Sequence, residues 1–457
     1  MKIPFKVISW MWVLCLITFF ARAQNPIIQT IYTADPAPLV HRDRVYLYTG
    51  HDEDTATYFR MNDWRVYSSA DMVNWTDHGS PLSFETFKWA SGDAWASHCI
   101  SRNGKFYWYV TATDKTLKRP VIGVAVSDSP TGPFKDAIGK PLITNQWGDI
   151  DPTAFIDEDG QAYLYWGNPK LWYVKLNQDM VSYDQKVGVV EVPLTKESFA
   201  VRPNNTQRTT SYEEGPWLDK RGSLYYLLYA AGGVPEHLAY STSTSPTGPW
   251  VYRDTIMTVI KKGGAFTNHP GLVDFKGKSY LFYHNGALPN GGGFRRSVAV
   301  EEFSFNPDGT IPRILPTKEG VTTSAAFLNP FQKTEAETGA WMQGVETKTQ
   351  GNTGVYVTDI QEGDYIKVRS VDFGAGAKSF QASVAAGGTG GRIEVRLDSP
   401  SGQLVGTCPV KSTGGELKWK TAAGKIKGAT GVKDLYLVFK GGQGALFNFD
   451  WWRFASK

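Results

Sequence analysis

One short design recurs five times along this chain: a turn, then an aromatic-rich strand. It reads RDRVYLYT (42–49), NGKFYWYV (103–110), DGQAYLYW (159–166), RGSLYYLL (221–228) and KGKSYLFY (276–283). Aligned on Tyr46, Tyr107, Tyr163, Tyr225 and Tyr280, the copies lie 61, 56, 62 and 55 residues apart. A repeat of that kind constrains the fold strongly, because each unit can bury its apolar face only against its neighbours. In three copies a further segment, YSSADMVNW, VSDSPTGPF or STSTSPTGPW, puts an aromatic after a polar turn. Long helical periodicity is scarce. Five units built from short strands predict an all-β fold, a five-bladed β-propeller. A β-sandwich with coincidental Tyr-rich strands fits the regular spacing less well.

Counting back from the aligned tyrosines reaches Asp35 eleven residues before Tyr46 and Asp151 twelve before Tyr163. The same count reaches Glu214 eleven before Tyr225 and His269 eleven before Tyr280; in the second copy it falls on Trp95 or Ala96. An Asp before Pro is ordinarily a turn residue, but a turn does not explain recurrence at blade-equivalent places. The first strand of each blade lines the channel, so these side chains are expected to converge at one end of it. Clustered carboxyls raise one another's pKa, so one can stay protonated while another is charged. One acid and one base are what glycoside hydrolysis needs. The competing reading is a metal or hydrogen-bonded plug without chemistry. Glu213 competes with Glu214; neighbours on a strand face opposite ways, and the eleven-residue offset selects Glu214.

The stretches ADPAP, WGDIDPTAF and SYEEGPW occur in that order on successive blades. On these the chain resembles glycoside hydrolase family 43 over residues 26–320. HDED, FKWASGDAWAS, AAGGVPEH, FTNHPG and YHNGALPNGGGFRRSV are similar to one branch of it, the arabinoxylan arabinofuranohydrolases. The resemblance implies Asp35 as general base, Glu214 as general acid, and Asp151 as the carboxylate that orients the acid and raises its pKa. It implies inversion of configuration. It places His269 near the channel axis, with a calcium ion there in some members. Trp95, Trp166 and Trp217 are candidate subsite walls, and Arg295 or Arg296 a substrate clamp.

After residues 321–330, a linker, the composition shifts toward Gly, Ser and Thr with short alternating strands. Residues 331–457 are expected to form a β-sandwich of jelly-roll type. The order TEAE, EGDYIKVRSVDFG, GGRIEVRLD, STGG and LFNFDWWRF resembles carbohydrate-binding module family 6. That resemblance implies a structural calcium held by Glu335, Glu337 and Asp450, whose oxygens are hard ligands. Glu335 and Glu337 are expected on one strand face. Tyr356 and Asn448 match glycan-binding positions, but Glu416 stands where the family commonly has a stacking Trp. Trp419 is expected in the core.

Residues 1–23 carry a basic start, an apolar run and Ala21-Arg22-Ala23, the pattern of a cleaved signal peptide. A secreted or periplasmic protein with no membrane anchor after cleavage is expected. Cys99 and Cys408 remain far apart, so no disulfide framework is expected. A net charge of +4 is too mild for a nucleic-acid binder. The expected partner is arabinoxylan or its oligosaccharides, and the expected state is a monomer. Rival readings are a β-xylosidase or endo-arabinanase on the same scaffold, or a non-catalytic glycan-capture protein. The intact carboxylate set weighs against the last.

Overall fold

A computed structural model describes residues 24–351 and 354–456. The signal-peptide reading falls on residues 1–23, outside the described residues. Five antiparallel sheets follow one another along the first part of the chain. Their innermost strands are Thr33–His41, Ser97–Arg102, Thr153–Ile156, Tyr212–Arg221 and Gly271–Phe275. Within each sheet most strands pair with their sequence neighbours, as in the blades of a propeller. Among the described residues helix is confined to Lys196–Phe199 and a 3₁₀ turn at Phe84–Thr86.

Each repeated aromatic segment is the second strand of its blade, as with Arg44–Asp52 and Lys278–Asn285. Period-2 alternation puts part of each strand against the next blade. Tyr48 and Trp108, from the first two blades, meet edge to face at 4.7 Å. One cluster spans several blades and includes Trp64, Trp108, Trp217 and Tyr283.

The ring closes through the N-terminal segment. The Ile27 amide donates to the Val298 carbonyl at 2.9 Å, and the Thr33 amide to the Arg296 carbonyl at 3.0 Å. Asn25 accepts from the Val300 amide at 3.0 Å and donates to Glu301 at 3.0 Å. The last blade has only three strands of its own, so this segment runs along its open edge.

The C-terminal part is a sandwich of two antiparallel sheets. One runs Glu346–Gln350, Gly354–Thr358, Asn448–Ala455, Ser379–Ala385 and Lys420–Lys425 in spatial order. The other runs Trp341–Gln343, Tyr365–Asp372, Val432–Gly441, Gly391–Leu397 and Gln403–Val410. Phe380, Phe439, Phe449 and Trp452 fill the space between them. Trp419 is half-buried outside that core and meets Tyr356 edge to face at 5.4 Å. The core position expected for it is taken by other aromatics.

The sandwich is stitched to the propeller. Thr338–Gly339 pairs antiparallel with Trp75–Asp77, the outer edge of the first blade. Asn74 and Arg369 exchange two bonds: the Arg369 amide donates to Asn74 Oδ1 at 2.8 Å, and Asn74 Nδ2 donates to the Arg369 carbonyl at 2.9 Å. The buried Arg369 guanidinium donates to the carbonyls of Val321 and Thr322 and to the Gln24 side chain. One module residue thus grips both the linker and the segment that closes the ring. Arg369→Met should cost about 2–3 kcal/mol, since bonds to a charged group are worth about 1.5–3 kcal/mol each and are not additive. Urea unfolding checks it, and an unchanged midpoint would show that the grip contributes nothing.

Candidate active site

One strand position recurs across the blades, and the pairing register identifies it. In four blades a residue X precedes Pro, and the residue after that Pro pairs with the second strand. Ala37 pairs with Tyr48, Thr153 with Tyr165, Trp217 with Leu228 and Gly271 with Phe282. The X residues are Asp35, Asp151, Gly215 and His269. In the second blade Ser97 pairs with Val110, which makes Trp95 the equivalent. By this register Trp108 and Tyr226, not Tyr107 and Tyr225, correspond to Tyr46. The expected equivalence of Glu214 with Asp35 is therefore corrected by one residue. Gly215 takes the repeated place and Glu214 precedes it, at a break in strand register.

The backbone explains which residues can stand there. Asp35 and Asp151 have φ of 52° and 61°, and Gly215 has φ of 60°. Asp tolerates this left-handed region better than most residues, because its short side chain bonds locally. Gly215 has a second reason to lack a side chain: a Cβ there would lie 3.2 Å from the His269 ring. The strain places three chain turns around one point, and such outliers concentrate at functional sites.

Asp35, Asp151 and Glu214 line a single cavity of about 410 Å³, with His269, Arg296 and Glu236. Arg296 Nη1 donates to Asp35 Oδ1 at 2.9 Å, while its Nε and Nη2 each reach Asp52 at 2.9 Å. Burial opposes the charge of Arg296, but Asp35 and Asp52 hold it protonated. The Asp35 amide donates to His284 Nδ1 at 3.2 Å, and His284 Nε2 faces the Thr267 carbonyl at 2.9 Å. His284 is thus the neutral Nε2–H tautomer, and burial with nearby Arg296 pushes its pKa far down.

Glu214 has the opposite environment. It is half-buried in the cavity wall, and burial pushes its pKa up to about 7. Asn168 Nδ2 donates to it at 2.5 Å and opposes that shift, whereas the charge of Asp35 adds to it. Asp151 is raised well above the carboxylate range by burial, then by Glu214 and Asp35. Its Oδ2 accepts the Gly215 amide at 3.0 Å, which ties it to the residue after Glu214. Glu213 is engaged by Arg202 and Arg208, so its carboxylate is already ion-paired. Two carboxyls in one cavity, one against a fixed cation and one beside a neutral amide, stand in the contrasting environments that a base and an acid require.

The other candidates fall differently. Trp95 lines the cavity and donates to the Phe59 carbonyl at 2.9 Å. Trp166 does not line it: it is fully buried in the core and donates to Asp149 at 3.0 Å. Trp217 packs edge to face on His98 at 4.8 Å, also within the core. Arg295 is excluded as the clamp, because its guanidinium lies outside the cavity and reaches only toward the Asp54 carbonyl at 3.5 Å. Its neighbour Arg296 faces inward. Phe59 and Phe266 each meet Phe294 edge to face in a rim, and Tyr58 and Trp147 beside the mouth are 58% and 66% exposed.

His269 Nδ1 stands 3.6 Å from Asp35, and burial lowers its pKa. Because that carboxylate is already held by Arg296, one neutral ring and a neutralised acid do not fit a channel calcium. In the module, the strand Thr334–Glu335 ends before Glu337, so the expected shared strand face does not form. Glu335 pairs with Lys333 at 2.9 Å. Glu337 is buried, with Oε2 unpartnered, and burial raises its pKa together with the charges of Glu335, Asp77 and Asp450. A buried carboxylate oxygen lacking a partner among other carboxylates fits a hard cation. Among the described residues only His51, Glu53 and Asp63 bring three ligand atoms within 4.8 Å of one another, so Glu335, Glu337 and Asp450 do not close a cage by themselves. Asn448 accepts from Thr358 at 2.8 Å and donates to the Glu416 carbonyl at 2.7 Å, in the neighbourhood of Tyr356.

Residues 23–311 match Glycosyl hydrolases family 43, and residues 335–456 match Carbohydrate binding module (family 6). The chain belongs to family 43. It is 36% identical to an arabinoxylan arabinofuranohydrolase of Bacillus subtilis, over 95% of this chain and 92% of that protein. Xylosidase/arabinosidase 43A of Humicola insolens is 32% identical over 63% of this chain and 98% of its own length. A crystal structure of a family 43 arabinoxylan arabinofuranohydrolase from Bacillus subtilis, in complex with cellotetraose, superposes with a TM-score of 0.81 at 34% identity, covering 95% of this chain and 98% of that one. The chain is accordingly a glycoside hydrolase, a propeller enzyme with a carbohydrate-binding module behind it.

An acid must carry its proton to work, so activity should fall as pH rises through the pKa of Glu214, near 7. Glu214→Gln should lower kcat on polysaccharide by about 10²–10⁴-fold. An aryl glycoside with a good leaving group should restore much of the loss, since its departing oxygen needs no proton. A pH profile and a leaving-group series read both. Equal losses on both substrates would remove Glu214 from the role of acid.

Proposed function

We propose that this enzyme removes α-L-arabinofuranosyl branches from arabinoxylan with inversion of configuration. The observation that carries the reading is the pairing of Asp35 with Arg296 in the same cavity as Glu214, whose pKa is raised to about 7. In this mechanism Asp35 takes a proton from water as that water attacks the anomeric carbon. Glu214 gives its proton to the departing oxygen of the xylan hydroxyl. Asp151, bonded to the Gly215 amide, steadies the acid and keeps its pKa high. Arg296 positions the base and balances its charge. A cavity of about 410 Å³ suits a single terminal sugar, and the exposed aromatics at its mouth, Tyr58 and Trp147, suit a chain lying across it. The similarity to arabinoxylan arabinofuranohydrolases over nearly the whole chain supports the choice of substrate.

Wheat arabinoxylan should yield free arabinose, and linear arabinan and xylo-oligosaccharides little. Proton NMR in the first minutes should show the inverted anomer forming first. Xylose as the main product would replace this substrate with a β-xyloside, and a retained anomer would reject the water-attack mechanism.

The module is read as a tether that holds the enzyme on its polysaccharide, and the leader as the signal that exports it. Calcium is proposed at Glu337, with Asp450 and Glu335 as further ligands. A ligand that binds only the folded state stabilises it. Chelation should therefore lower the melting temperature, added calcium should restore it, and Glu337→Gln should remove the response. A melting curve indifferent to chelator in the wild type would dismiss the ion.

A further inference from the structure

Besides Glu213, which Arg202 and Arg208 hold, one more buried carboxyl lines the cavity and has no part in the mechanism above. Glu236 is 3% exposed and lies between the strands Leu224–Ala231 and His237–Ser243 of the fourth blade. Its amide donates to the Phe266 carbonyl at 3.1 Å, and its Oε2 accepts the Asn268 amide at 2.7 Å. Both contacts lie just ahead of the first strand of the fifth blade, so the side chain is clamped across a blade boundary. Its other oxygen, Oε1, is buried and has no hydrogen-bond partner. Clamping needs only Oε2. A buried polar atom without a partner is rare and costly in a folded protein, and calls for a partner that binds there.

We propose that Glu236 binds the substrate, holding one hydroxyl of the sugar in this cavity through Oε1; the proposal rests on the glycosidase reading above. The protonation state agrees with this role. Burial, then the charges of Glu214, Glu213 and Asp151, push the Glu236 carboxyl well above the usual carboxylate range. That shift favours the protonated, uncharged form. Oε2 accepts an amide hydrogen, so the proton sits on Oε1. The cavity is thereby offered an O–H donor that adds no negative charge beside Glu214. A site built to bond a hydroxyl discriminates sharply against a sugar that lacks it.

The test compares wild type, Glu236→Ala and Glu236→Gln on 4-nitrophenyl α-L-arabinofuranoside and on its 2-, 3- and 5-deoxy derivatives. On the parent substrate Glu236→Ala should lose about 10–100-fold in kcat/KM. On one deoxy substrate, and only one, the same substitution should cost almost nothing, because the bond is already missing. Glu236→Gln should recover most of the loss on the parent, since its amide can accept from Asn268 and donate into the cavity. An equal loss on all four substrates would reduce Glu236 to a clamp and overturn the proposal. A Gln variant as impaired as the Ala variant would show that an anion is required, and would also overturn it. If the wild type cleaves the aryl β-D-xyloside instead, the substrate assignment falls, and the deoxy series on that xyloside judges Glu236 separately. A wild type inactive on both removes the glycosidase reading and this proposal together.

Discussion

A single buried guanidinium spans the joint between the last blade and the first. Arg296 follows the last loop of the fifth blade, and it reaches Asp52 and Asp35, both in the first. Its carbonyl takes the amide of Thr33, so backbone and side chain close the ring at one residue. Removing one partner from such a buried set leaves an uncompensated charge, at a cost of about 3–5 kcal/mol. The same cation faces the proposed base, so it serves both the closure of the ring and the polarity of the cavity. Glu214 lies on the fourth blade, next to a neutral amide rather than a cation. The difference between the proposed base and the proposed acid is thus a difference between two places on the ring.

Much of this was legible in the sequence. The tyrosine-rich strands recur because every blade buries the same strand against its neighbour, and that periodicity survives in the residues. Asp35 and Asp151 stood out because Asp-Pro at matching offsets has no turn-forming reason to repeat. The finer register was not legible: blade hairpins differ in length by a residue, so Tyr225 aligned where Tyr226 belongs, and Glu214 seemed to share the place that Gly215 holds. Trp166 and Trp95 could not be told apart, since burial is decided by the partner surface and not by the residue. Arg295 and Arg296 are adjacent, and only backbone direction separates an outward guanidinium from an inward one. Glu236 had a faint signal, a charged residue after Gly232-Gly233 in AAGGVPEH, but its convergence with Asn268 depends on two loops more than thirty residues apart.

The module is joined to the propeller by main chain as well as side chain. Thr338–Gly339 extends the first blade's sheet and covers an edge that would otherwise present unpaired amides. Arg369 then fixes the linker and the closing segment in place. The two domains therefore share backbone hydrogen bonds, and the carbohydrate-binding module forms part of the architecture that holds the catalytic ring shut.

The seam also sets an order in time. Asp35 is synthesised early, and Arg296 comes 261 residues later. At about 5–20 residues per second on the ribosome, the proposed base waits many seconds for its counter-charge. The intervening blades can form by local pairing, but the cavity cannot acquire its polarity until the fifth blade has emerged and the N-terminal segment has found its last strand. A nascent chain truncated before that point carries both carboxyls of the reaction with nothing to distinguish them by charge. The contrast between the two proposed groups therefore appears only once the fifth blade is complete, and an incomplete ring lacks it.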